Sequence, residues 1–293
     1  GALKANIEIP IHLHTHDTSS LQAATYLMAI EAGVDVIDVA LGGLSGLTSQ
    51  PNFNSIVEML KFHKRSNEFD ITSLNAFSNY WENVRDLYYP FESGLKAGTA
   101  EVFKHEIPGG QYSNLRPQAI ALGLGEKFGQ IKQTYEEVND LFGDVIKVTP
   151  SSKVVGDMAM YMVTNGLTKE DVLERGDTIS FPESVKAFFM GDLGQTVGGF
   201  PKKLQKIILK DSKPYTNRPN AHLEPVNLDA EFEEFLKKFQ PQFDRELLFT
   251  DFLSFKLYPK VYEEAWNKHL EYGDIAKIPT RNFFFGMKLN EET

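Results

Sequence analysis

From Ile7 to Asp17 the chain alternates apolar with polar positions and is β-branched, a period of two that predicts a strand. Helical spacing follows. Leu21, Ala24, Leu27, Met28 and Ile30 recur on one face up to Gly33, with Ser19 and Ser20 placed to cap the helix. Val34–Leu41 predicts a second strand. Strand, helix and strand in close succession make a βαβ unit, so Ile11–His16 and Val34–Leu41 are expected as neighbouring parallel strands with chemistry at their C-terminal ends. The loop Gly42–Pro51 is small and polar, as a mouth loop should be.

Past Asn52 the period becomes helical. Helices are expected at Phe53–Arg65, Leu74–Tyr88, Lys127–Phe142, Val154–Asn165, Lys169–Glu174 and Glu183–Phe189, with short strands at Glu101–His105 and Asp144–Thr149. The Gly pair within His105–Asn114 reads as a sharp turn leading into a helix at Asn114. Lys210–Pro225 reads as an extended linker, followed by helices at Asp229–Phe239, Glu246–Phe255 and Lys260–Glu271. Gly1–Ala5 reads as the last turn of a helix and Arg281–Lys288 as one strand or two. A complete eight-stranded barrel takes about 250 residues of repeating β and α, and a single βαβ unit is visible. The expected fold is α/β: a partial TIM barrel made of its last βα units (1–52), a mainly helical extension over the barrel mouth (53–225), and C-terminal helices (226–293).

Charge and composition narrow the class. The chain has 293 residues, 42% of them apolar, enough for a large core. Its 30 Lys and Arg against 40 Asp and Glu leave a formal charge of −10, which argues against phosphate neutralisation on nucleic acid and against an anionic membrane surface. Without Cys there is neither disulfide nor thiolate site, so any metal must be held by His and carboxylates. No run of about 18 apolar residues and no signal-like start are present, and the expected location is cytoplasmic.

Two segments carry candidate chemistry. In His12-Leu-His-Thr-His-Asp17 the period of two puts His12, His14 and His16 on one strand face, neighbours about 6.5–7 Å apart, which suits convergence on a metal completed by oxygen ligands from other strands. In Asp144–Lys153 a strand meets Pro150 and a helix. There Ser151 or Ser152 can serve as the cap and Thr149 as a backbone partner, a reading that changes once the segment is set beside the His cluster.

Taken together, His12-Leu-His-Thr-His-Asp-Thr-Ser19, Leu44-Ser-Gly-Leu-Thr-Ser-Gln-Pro51, Pro108-Gly-Gly-Gln-Tyr-Ser-Asn114 and Val148-Thr-Pro-Ser-Ser-Lys-Val-Val-Gly-Asp157 resemble, in this order, the carboxyltransferase region of pyruvate carboxylases. The resemblance covers essentially the whole chain, from the seventh barrel strand into the linking, tetramerisation domain. It implies His14 and His16 as ligands of a divalent ion, Mn or Zn, with His12 outside the pair. Thr149 matches the catalytic threonine and Ser152 a biotin contact, with Lys153 adjoining it. The family moves a carboxyl group from carboxybiotin to pyruvate, giving oxaloacetate. Biotin arrives on a separate carrier domain, ATP is used by another domain, and the assembly is a homo-tetramer serving anaplerosis and gluconeogenesis. Cyclic di-AMP is an effector of some bacterial members, with no residue assigned to it here.

The carboxylated lysine, metal-binding aspartate, and pyruvate-binding arginine and glutamine of the family belong to earlier strands and are absent from this sequence. Two departures stand out: Ser20, where the family commonly has Gly, and Gly42-Gly43-Leu44, where larger or differently polar residues, often with Met, are usual. Alternative readings are an oxaloacetate decarboxylase or transcarboxylase subunit of the same fold, from which Gln111-Tyr112 and Ser152-Lys153 separate it, a hydroxymethylglutaryl-CoA lyase-like enzyme, and an inactive assembly fragment.

Overall fold

Asp17, and neither serine after it, starts the first long helix: its Oδ1 accepts the Gln22 N–H at 3.0 Å. Ser20 is at φ 60°, outside the conformation of a capping residue, and the residue flanking the helix, Leu21, makes no side-chain cap. In this computed structural model, which describes residues 1–92 and 94–273, α1 is Ala2–Asn6, β1 His12–Leu13, α2 Gln22–Glu31 and β2 Val36–Ile37. The strand expected at Arg281–Lys288 lies outside the described residues.

The strands pair in parallel, His12 opposite Val36 and Leu13 opposite Ile37, as the βαβ pattern requires. They are far shorter than expected, because each ladder has a single neighbour among the described residues. Tyr26, Ile30, Val34, Ile56 and Leu60 form the small core that holds α2 and α3 (Phe53–Met59, capped by Asn52 through Ser55 N–H) to the pair. Asp70 accepts the Thr72 and Ser73 N–H groups and so starts α4, Ile71–Arg85, three residues before the expected start.

Four expectations fail in the next stretch. Glu101–His105 is not a strand but contains a one-turn helix, α5 (Val102–His105), closed by Glu106 at φ 54°. Local bonds such as His105 N–H to the Glu101 carbonyl at 3.0 Å outweigh β-propensity where no strand among the described residues lies alongside. The Gly pair does not precede a helix at Asn114; it is the first turn of α6, Gly109–Ala121, entered at Pro108. Asp144–Thr149 is irregular rather than a strand. The Ser151 hydroxyl donates back to the carbonyls of Ile146 and Val148, each at 2.6 Å, so no serine side chain caps the following helix.

The largest core is helical. In α7 (Phe128–Leu141) Phe128, Ile131, Tyr135 and Val138 recur on one buried face. That face meets α8 (Ser151–Asn165), whose Val154, Val155, Met158, Ala159, Met162 and Val163 are all buried. The Tyr135 hydroxyl donates to the Ser152 carbonyl at 3.3 Å. α9 (Lys169–Arg175) begins at a Thr168–Asp171 capping box. α10 (Glu183–Met190) and α11 (Lys202–Leu209), the latter not foreseen, complete the core through Phe188, Phe189, Leu204 and Ile208.

Residues up to Ala221 form one compact unit and those from His222 another. In the second, α12 (Leu228–Phe239), α13 (Phe249–Leu257) and α14 (Pro259–Tyr272) surround Phe235, Phe239, Leu247 and Phe252. Arg245 holds Asp251 with two hydrogen bonds, at 2.8 and 2.6 Å. Among the described residues no helix is long and apolar enough to cross a membrane.

Both departures in the first unit have a backbone explanation. Ser20 occupies left-handed space that glycine adopts freely. Gly43 lies on α4, where an added Cβ would stand 2.7 Å from Glu82 N and 2.8 Å from the Ser78 carbonyl oxygen. Replacing Gly43 by Ala is therefore expected to lower unfolding free energy by about 1–3 kcal/mol, since helix backbone must move. Ser20→Gly should instead raise it, by up to about 1 kcal/mol after the added freedom of the unfolded chain is subtracted. Urea unfolding of both variants checks these signs.

Candidate active site

The parallel register sets the geometry. With His12 opposite Val36 and Leu13 opposite Ile37, continuing both chains by one residue brings His14 beside Asp38. Asp38 accepts from both imidazoles: His14 Nδ1 lies 2.7 Å from its Oδ2 and His12 Nε2 lies 2.7 Å from its Oδ1. These hydrogen bonds, from His12 first and then His14, hold the Asp38 carboxyl below its ordinary range. His16 Nδ1 lies 2.6 Å from the Thr48 carbonyl oxygen, on the loop after β2.

Those partners decide the tautomers. A carbonyl and an ionised carboxylate only accept, so His14 and His16 both carry hydrogen on Nδ1, and in the neutral rings the lone pairs are at Nε2. The two Nε2 atoms stand 3.4 Å apart, their rings edge to face at 83°. Two nitrogens at about 2.1 Å from one ion, at a near-tetrahedral angle, are separated by about 3.4 Å. A carboxylate and a backbone carbonyl behind metal-facing imidazoles are the usual orienting partners. The pair thus fits two positions of a divalent ion. No group of three His, Cys, Asp or Glu suited to a metal occurs among the described residues, so this chain's described part offers an incomplete ligand set. His12, bound to the other oxygen of Asp38, stands outside the pair.

The start of α6 closes over His16. A Cβ on Gly109 would lie 2.7 Å from His16 Cβ and Cγ and 2.8 Å from its Nδ1, so the imidazole occupies space that any other residue would fill. Two residues on, Gln111 lies against Gly156 of α8, where a Cβ would come 2.6 Å from the Gln111 Nε2. α6 therefore touches the His16 imidazole at one point and the helix following Thr149 at another. Thr149 is exposed, one residue ahead of Pro150 and α8. Ser152 is buried, 3% exposed, in the first turn. Lys153 is exposed and paired at 2.5 Å with Asp157, which also accepts the Ser184 hydroxyl. The structure brings His14 and His16 together directly, whereas Thr149, Ser152 and Lys153 cluster at the start of α8.

Sequence reasoning overlooked Asp38, Thr48 and His105. The signal for Asp38 was present, because the offset of two residues from Val36 matches that from His12 to His14. Thr48 acts through its backbone and leaves no residue-type signal. His105 is 4% exposed, and its Nδ1 accepts the Ile107 N–H at 3.0 Å, bracing the turn ahead of Gly109.

The family description "Conserved carboxylase domain" matches residues 102–293, and a second, "HMGL-like", matches residues 1–80. The chain belongs to the conserved carboxylase domain family. More narrowly, it is homologous along its length to pyruvate carboxylases. It is 49% identical over 292 residues to the Bacillus subtilis pyruvate carboxylase and 48% identical to that of Staphylococcus aureus, covering 100% and 99% of this chain and 25% of each relative. It therefore spans about a quarter of those relatives' length. The carboxyl transferase domain of Rhizobium etli pyruvate carboxylase is 47% identical with a TM-score of 0.87, over 97% of this chain and 47% of that one. The same domain solved with pyruvate and biocytin matches over the same shares, at 47% identity and a TM-score of 0.88. The fold is that of a carboxyltransferase domain, mostly helical with few strands.

Burial, with the Lys132 ammonium nearby, pulls the His105 pKa from 6.5 down to about 4. Between these values the unfolded chain binds a proton that the folded chain does not, so stability falls as pH drops from about 6.5 to about 4. The expected loss is on the order of 3 kcal/mol across that window. Denaturant unfolding at a series of pH values, with His105→Asn as the flat control that keeps an acceptor near the Nδ1 position, tests this.

Proposed function

We propose that this chain supplies part of a carboxyltransferase site in which a carboxyl group passes from carboxybiotin to pyruvate to give oxaloacetate. The observation that carries the reading is the facing pair of Nε2 atoms on His14 and His16, 3.4 Å apart, each ring held from behind through its Nδ1. In this reading His14 and His16 hold a divalent ion, Mn or Zn, whose other ligands come from outside the described residues. When bound, the ion supplies positive charge beside the oxygen of pyruvate that becomes an enolate oxygen.

Thr149 moves the proton. Its hydroxyl hydrogen passes to the biotin nitrogen as that nitrogen gives up the carboxyl group, and its oxygen takes a proton from the pyruvate methyl, leaving the threonine unchanged at the end. The carbanion so formed captures the released CO₂. Exposure at the start of α8 leaves Thr149 open to an arriving biotin. Ser152 and Lys153, in the next turn, are assigned to the biotin side. Little acid–base strength is asked of these residues; placement does most of the work. The reading takes 1–52 as closing units of a barrel, 53–225 as the helical cover of its mouth and 226–293 as the way into a linking domain. It carries with it a separate biotin carrier domain, ATP use elsewhere in a longer chain, a homo-tetramer and a cytoplasmic setting.

Thr149→Ala in the complete enzyme should reduce oxaloacetate synthesis at least about 10²–10⁴-fold, while ATP-dependent biotin carboxylation continues. Thr149→Ser should retain part of the rate. Near-normal synthesis in the alanine variant would sink the relay. Separately, His14→Ala and His16→Ala should each lower bound metal, read by elemental analysis, and an unchanged metal content would remove these residues from the ligand set.

A further inference from the structure

Among the described residues no strand lies beside the segment carrying Thr149, and Ile146, Val148 and Thr149 are exposed. Few contacts therefore set its position. Val145 is buried at one end, and the Ser151 hydroxyl closes a local turn at the other. Between them Lys147 turns inward: its side chain is 12% exposed, and its Nζ lies 2.6 Å from Glu106 Oε2 and 3.8 Å from Asp144 Oδ1, with the Val145 carbonyl at 3.4 Å. Glu106 is held in turn. It occupies the left-handed region at φ 54° between α5 and the fully buried Ile107, whose N–H His105 accepts.

Glu106 is three residues ahead of Gly109, on which the His16 imidazole rests, and Lys147 is two residues ahead of Thr149. We propose that the Lys147–Glu106 ion pair is a positioning clasp that sets Thr149 in register with the His14–His16 pair and so governs the rate of carboxyl transfer. The inference rests on the role given to Thr149 above. Surface ion pairs add little to stability. This one joins a mostly buried Lys147 side chain to a half-exposed Glu106 carboxylate on a constrained backbone, so its main effect falls on placement, where small displacements are costly to rate.

The test uses the complete enzyme with Lys147→Met, with Glu106→Gln in case the first variant fails to fold, and with the exchanged pair Glu106→Lys/Lys147→Glu. Hydrogen exchange is read over residues 145–152, alongside kcat and KM for pyruvate, with ATP-dependent biotin carboxylation as the control for intact assembly. Each single variant should speed exchange in that segment about tenfold and lower kcat for oxaloacetate about 10–100-fold, with KM for pyruvate within about twofold. The exchanged pair should recover most of both. Unchanged exchange overturns the clasp whatever happens to the rate, and faster exchange with unchanged kcat overturns its positioning role. A normal rate in Thr149→Ala would indict the relay instead, and the exchange measurement would still decide whether the clasp exists.

Discussion

Two imidazole nitrogens, Nε2 of His14 and Nε2 of His16, face one another at 3.4 Å, and the first unit is arranged to keep them there. Each ring is fixed by its far nitrogen, one on Asp38 and the other on the Thr48 carbonyl. These anchors come from separate pieces of chain. Asp38 depends on the parallel pairing of β1 with β2, and Thr48 on a loop folded by bonds from Gly46 N–H to the Gln50 carbonyl and from Ser49 N–H to the Gly46 carbonyl. The Asp17 N–H closes the arrangement at 2.7 Å from the Ser49 carbonyl, so the end of the histidine segment and the loop move as one.

Close backbone approach is the second requirement. Gly109 lets α6 begin against His16, and Gly43 lets the loop lie on α4, where Gly42 N–H reaches the Ser78 hydroxyl at 2.9 Å and Arg85 donates to the Gly43 carbonyl at 3.1 Å. The unusual Gly42-Gly43-Leu44 stretch is thus matched to its helix.

Stability is unevenly spread through the first unit. α7 and α8 share a continuous apolar face with almost no solvent access, whereas the segment from Asp144 to Pro150 between them carries exposed Ile146, Val148 and Thr149. Side-chain anchors substitute there for a ladder.

Much of this was legible in the sequence. Periodicity located α2, α7, α8, α9, α10 and α12 to within a few residues, because each buries one stripe in a local pattern of 3.6. The spacing of His12, His14 and His16 marked the candidate segment, although only His12 and Leu13 are paired as a strand and the His14–His16 pair lies just past it. Glu101–His105 and Asp144–Thr149 were misread because a strand exists only with a partner, and whether one lies alongside is settled far away in the chain. The same holds for Asp38 and Thr48: one needs the register of two strands, the other a backbone carbonyl that every residue type possesses. Local spacing therefore determined which residues could act, and tertiary contact alone decided the tautomers, the anchors and the approach of α6, since hydrogen bonds and close packing join atoms that sequence distance does not relate.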